Sequence, residues 1–106
     1  MVTIYHKVNP PDWYQAEPQK QSAPPLQELE LIGVALETND LDEAFDLTIH
    51  RDGENWTDGS AVMVFGDRRS RRSSQEGDVF VTGEGTAHLV LTQGFKPLLG
   101  MLLPFL

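Results

Sequence analysis

The chain has 106 residues, a net charge of −8 and no cysteine. That length holds a single domain, the missing thiols exclude disulfides, thiolate metal sites and cysteine nucleophiles, and the negative charge disfavours nucleic acid and anionic membranes while favouring basic partners. An apolar fraction of 40% beside a charged fraction of 23% is ordinary for a globular chain and argues against global disorder.

In chain order, Val2 to Val8 alternates between apolar and polar positions and predicts a first strand. Residues 9–25 contain Pro10, Pro11, Pro18, Pro24 and Pro25, which withhold backbone donors from any ladder. This stretch reads as a proline-rich loop pinned by Trp13 and Tyr14. Leu29 to Thr38 predicts a second strand. Its apolar positions run Leu29, Leu31 and then Val34, Leu36, so the phase slips by one at Ile32-Gly33. A glycine at such a slip marks a β-bulge.

Asp40 then stands where a helix cap belongs, with Glu43 three residues later in the manner of a capping box. Leu41, Ala44, Phe45 and Thr48 share one face, which predicts a short amphipathic helix to about His50. Arg51 to Gly59 is rich in turn residues and reads as a loop around Trp56. Ala61 to Phe65 predicts a short buried strand. Gly66 to Gly77 is polar and basic and reads as an exposed loop. Asp78 to Thr82 and Ala87 to Thr92 flank Gly83-Glu84-Gly85, the pattern of a hairpin. The order predicts one α+β domain over 1–106. It is a small, mostly antiparallel sheet of about five strands, or a partly open barrel of the same strands, with one short helix.

The ending FKPLLGMLLPFL is almost uncharged. It is shorter than the ~20 residues that span a bilayer and is interrupted by Pro97 and Pro104. Residues 96–106 therefore read as an apolar tail packed into the core or as an oligomer contact through Leu98, Leu99, Met101, Leu102, Leu103 and Phe105, and membrane association is not expected. The N-terminus has no basic region followed by a long apolar run, so no secretion signal is read there. The expected location is cytoplasmic.

Chemistry is sparse. His6, His50 and His88 lack the spacing of zinc ligands, the serines lie outside any nucleophile-elbow context, and Gly83-x-Gly85 opens no helix that would cradle a phosphate. No metal, cofactor or reaction class is read, and a binding protein is expected in preference to an enzyme. Two charge features stand out. From Glu17 to Asp58 there are eleven carboxylates against Lys20 and Arg51. Within that stretch Glu37, Asp40, Asp42, Glu43 and Asp46 are the expected contact with a basic patch on another protein, or on a second copy. Arg68, Arg69, Arg71 and Arg72 then gather in one loop with serines between them. Guanidinium forks match phosphate or sulfate oxygens, so this loop is a candidate anion site, in a phosphate-ligand-binding domain or a small enzyme. It is equally able to pair with carboxylates of the same molecule or of a second copy.

The stretches LDEAFDLT (41–48), WTDGSAV (56–62), RRSSQEGDVFV (71–81) and AHLV…GF (87–95) resemble small proteins of actinobacteria and their phages that carry no assigned activity. The resemblance covers roughly the C-terminal two-thirds of the chain. It implies a mobile-element setting in which a small acidic protein binds and modulates a host protein in the host cytoplasm. A structural or oligomerising subunit, held through the C-terminal tail, is the third reading.

Overall fold

The structure, a computed structural model, describes residues 1–8, 26–66 and 71–98. Its centre is β1 (Val2–Lys7), paired on one side with β2 (Leu29–Ala35) and on the other with β4 (Val79–Thr82). Beyond β2 lies β3 (Val62–Val64), and beyond β4 lie β5 (Ala87–Val90) and β6 (Phe95–Pro97). The order is β3-β2-β1-β4-β5-β6 and every pairing is antiparallel. Among the described residues the result is an α+β fold built on an open sheet of six strands, with β3 and β6 as its edges and no closure into a barrel.

Two differences from the sequence reading concern these edges. Ala61 to Phe65 was expected to be buried, yet on the edge strand β3 Met63 is exposed while its neighbour Val62, which projects to the opposite face, is buried. β6 lies at the start of the apolar ending that was read as a tail. The turn at 91–94 closes it against β5, with the Leu91 N–H donating to the Gly94 carbonyl at 3.0 Å. Gly94 sits at φ 89°, a conformation that glycine adopts without strain.

The bulge falls where the phase slip predicted it. Ile4 pairs with Gly33 and Tyr5 with Leu31, so Ile32 is an extra residue in β2. That extra residue lets Leu29 and Leu31 share a face with Val34 despite their odd spacing. Glycine is required there for space as well: a Cβ on Gly33 would lie 2.7 Å from the Met63 carbonyl oxygen.

One face of the sheet carries Val2, Ile4, Ile32, Ala35, Val62, Phe80 and Val90, and packs against Ala44, Trp56 and the partly buried Leu41, Phe45 and Leu47. The other carries Tyr5, Val79, Val81, Ala87 and Leu89, together with Leu98. Because the central strands bury both faces, β4 reads VFVT with no alternation.

The helix α1 (Leu41–Asp46) supplies the cover on the first face. Asp40 caps it, accepting from the N–H groups of Asp42 at 2.9 Å and Glu43 at 3.3 Å. The Asp40 N–H donates to Thr38 Oγ1 at 2.9 Å, so the returning arm of a capping box is taken by a threonine and not by Glu43. Asp40→Ala removes the cap, and an expected loss of about 0.5–2 kcal/mol is measurable by urea unfolding. The helix stops four residues short of His50 for a visible reason. The His50 N–H donates to Ser73 Oγ at 2.7 Å and not to the Asp46 carbonyl, and the Thr48 carbonyl accepts from the Ser74 N–H. The incoming chain at 73–74 competes for the backbone groups that a further turn would need.

Candidate functional site

The carboxylates predicted to form a contact face all lie on the connection from β2 through α1. Glu37 follows the end of β2, Asp40 is the cap, Asp42 and Glu43 occupy the first turn, and Asp46 ends the helix; all five are exposed. The capping geometry explains part of this. A first turn leaves N–H groups unsatisfied and favours negative side chains around it. Asp46 meets Arg51 at 3.2 Å, with both side chains more than half exposed, a geometry that water and salt screen strongly.

The arginines are placed differently from the expectation of an open anion site. Arg72 directs both terminal nitrogens onto Asp78, Nη1 to Oδ2 at 2.8 Å and Nη2 to Oδ1 at 2.7 Å. The same nitrogens donate to the carbonyls of Ser73 and Lys7. Arg71 donates to the Phe65 carbonyl at 2.6 Å and pairs with Glu30 at 3.0 Å. Both forks are therefore engaged inside the molecule, because a strand-leading aspartate and open carbonyls lie within reach. Arg68 and Arg69 lie outside the described residues. Leu98, expected at a contact between copies, is buried in this chain's own core, and its N–H donates to the Ala87 carbonyl at 2.9 Å. Leu99, Met101, Leu102, Leu103 and Phe105 lie outside the described residues.

Residues 71–78 are not the solvated loop that their polarity suggested. They wedge between β1 and the end of α1, carrying Ser74 and Asp78 into the interior. Asp78 is fully buried and accepts from the Lys7 N–H at 2.8 Å and the Gln75 N–H at 2.7 Å as well as from Arg72. His6 is also buried, with Nε2 at 2.9 Å from Ser74 Oγ and its ring edge-on to Trp56 at 6.5 Å. Burial pushes its pKa down to about 4, against a smaller upward pull from Asp78 and with further lowering by Arg72 and Arg71. The ring is neutral at pH 7. Trp56 closes the cluster by donating its indole N–H to the Arg72 carbonyl at 2.8 Å.

A serine, a histidine and an aspartate in contact invite comparison with a hydrolytic triad, but the connectivity is wrong. In a triad the carboxylate and the serine meet opposite ring nitrogens. Here Asp78 Oδ2 lies 3.8 Å from the same Nε2 that contacts Ser74. Thr48 Oγ1 donates to the Ala44 carbonyl at 2.9 Å and meets Ser74 Oγ at 2.8 Å. The assignment that satisfies all three contacts runs from His6 Nε2–H to Ser74, from Ser74 to Thr48, and from Thr48 to the backbone. Ser74 then has no base to take its proton, and the network is a structural weld.

A partly open cavity of about 220 Å³ lies beside this weld, lined by Phe45, Ser74, Gln75, Glu76, Leu91 and Thr92. Among the described residues there is no cluster of three or more potential metal ligands, and no helix is long and apolar enough to cross a membrane. The Asp78–Arg72 clamp and the His6–Ser74–Thr48 chain were not found by sequence reasoning. The available signal was Asp78 standing directly before an uninterrupted apolar strand, a place where an unpaired charge does not persist. Comparison with known proteins brings no match to a family model, a curated protein or a solved structure.

Proposed function

We propose that this protein is a small acidic binding module that docks on a basic patch of another protein. The observation that supports the reading is the run of five exposed carboxylates between Glu37 and Asp46, while Arg71 and Arg72 face acceptors within the fold. An outward negative face of this kind speeds encounter with a positive partner and selects against negative ones. The internal pairing of Arg71 and Arg72 also weighs against the phosphate-binding alternative. In the setting implied by the resemblance, the partner is a host protein.

The test uses a partner isolated by affinity capture, with its dissociation constant followed across a salt series. Glu37→Lys combined with Asp46→Lys reverses two charges outside the first helical turn and so leaves the cap intact. The expected result is binding weakened about tenfold or more, with a flatter salt dependence. Equal affinity and equal salt slope in the two proteins would remove the acidic face from the interaction.

A further inference from the structure

We infer that the cavity beside α1 is an anchor pocket for a basic side chain of the partner, best matched by arginine. The inference rests on the acidic-module reading and names the group that this module grips. Among its described lining residues, the cavity pairs apolar walls with a single kind of charge. Phe45 and Leu91 supply partly buried hydrocarbon, and Glu76 is the charged group of the lining. The Glu76 carboxylate is held in place, since Thr92 Oγ1 donates to its Oε2 at 2.8 Å. Ser74 is buried at the base and Thr92 is exposed at the mouth. A long side chain with a methylene stem and a cationic head fits this order of surfaces, because the stem meets hydrocarbon and the head meets a carboxylate. Arginine adds a planar head that stacks on an aromatic ring while forking onto a carboxylate, and Phe45 and Glu76 line the same cavity.

Position supports the same occupant. Phe45 belongs to α1, between the exposed Asp42 and Glu43 and the exposed Asp46. Asp42 lies three residues before it, on the same side of the helix. A positive residue drawn to the acidic face is therefore delivered to the mouth of the cavity. Described cations near α1 do not line it: Arg51 is turned to Asp46, and Arg72 to Asp78.

The experiment is a nitrogen–proton NMR titration of the full chain with the capped pentapeptide Gly-Gly-Arg-Gly-Gly and its citrulline counterpart, which has the same shape without the charge. The expected result is shifts concentrated at Ser74, Gln75, Glu76, Leu91 and Thr92 with the arginine peptide. The citrulline peptide and Glu76→Gln should each weaken the response by about tenfold. If Glu76→Gln loses its dispersed spectrum, Thr92→Val frees the carboxylate without touching it and is expected to weaken binding severalfold. Equal binding of both peptides, or shifts that leave the cavity unmoved, overturns the pocket. A tetralysine titration separates this outcome from the wider reading. Tetralysine shifts along α1 that vanish in the Glu37→Lys, Asp46→Lys protein keep the acidic module while the pocket falls. Pocket shifts from the arginine peptide beside an α1 that ignores tetralysine keep the pocket and reject the module.

Discussion

Asp78→Ala is expected to destabilise the fold by about 3–5 kcal/mol, a large part of the 5–15 kcal/mol available to a domain of this kind. The substitution removes four acceptor contacts together: two from the Arg72 fork and one each from the Lys7 and Gln75 amides. Both amides then lie beside an apolar methyl group, and each unsatisfied donor costs about 1–3 kcal/mol. The guanidinium keeps its links to the Lys7 and Ser73 carbonyls but loses its counter-charge. Position amplifies the effect. Lys7 ends β1 and Asp78 precedes β4, so the same carboxylate ties together the two central strands and the 71–78 segment. Urea unfolding at pH 7 measures the loss. Asp78→Asn keeps one acceptor while turning an amide NH₂ toward Arg72, so it should fall between wild type and the alanine variant. Arg51→Ala breaks only the exposed pair with Asp46 and should change stability by less than about 1 kcal/mol. Losses below about 1 kcal/mol for both Asp78 variants would mean that the clamp does not hold the sheet together.

The contrast between Asp78 and Asp46 also explains how much was legible in the sequence. Features that depend on neighbours along the chain were readable: the bulge at Ile32-Gly33, the Asp40 cap, the hairpin through Gly83-Glu84-Gly85 and the exposure of the carboxylates on α1. Each follows from periodicity or from local hydrogen bonding. The features that failed are those in which polarity and burial part company. Arg71 to Gly77 is as polar as any surface loop, yet Ser74 is buried because Thr48 and His6 wait for it on other elements. Spacing along the chain holds no trace of that meeting, since His6 and Ser74 are 68 residues apart. Arg71 and Arg72 of the candidate anion site pair within the fold for the same reason. A row of arginines looks available until the carboxylate that faces it is placed. Conversely, β6 was hidden inside an apolar ending whose composition suits a tail and an edge strand equally. Its pairing depends on the turn at Gly94, which closes Phe95–Pro97 onto β5.

The buried histidine makes stability depend on pH in a defined window. His6 has an ordinary pKa of 6.5 in the unfolded chain and about 4 in the fold, where burial penalises the charged ring. The folded state thus binds its proton less readily than the unfolded state. Between these two values the unfolded chain carries more protons, and stability rises with pH. The stabilising contribution is complete above pH 6.5, declines as the pH falls through that value, and is lost by about pH 4. Its size is about 3 kcal/mol, from a shift of roughly two and a half units at 1.36 kcal/mol each. The charges facing the ring oppose one another. Asp78 and Glu30 favour the imidazolium, Arg72 and Arg71 disfavour it, and desolvation outweighs them all. The expected result is a wild-type unfolding free energy that drops by about 2–3 kcal/mol between pH 7 and pH 4.5 beyond the drop of His6→Gln, which retains a partner for Ser74 but cannot take up the proton. Should that variant prove too unstable to compare, the Cε1 proton of His6 followed by NMR reports the folded pKa directly. A midpoint near 6.5 would place the ring in contact with water and undo the account of the weld. A midpoint near 4 would show that burial sets the proton affinity of the ring at the junction of β1, α1 and the 71–78 segment, beneath the cavity lined by Ser74.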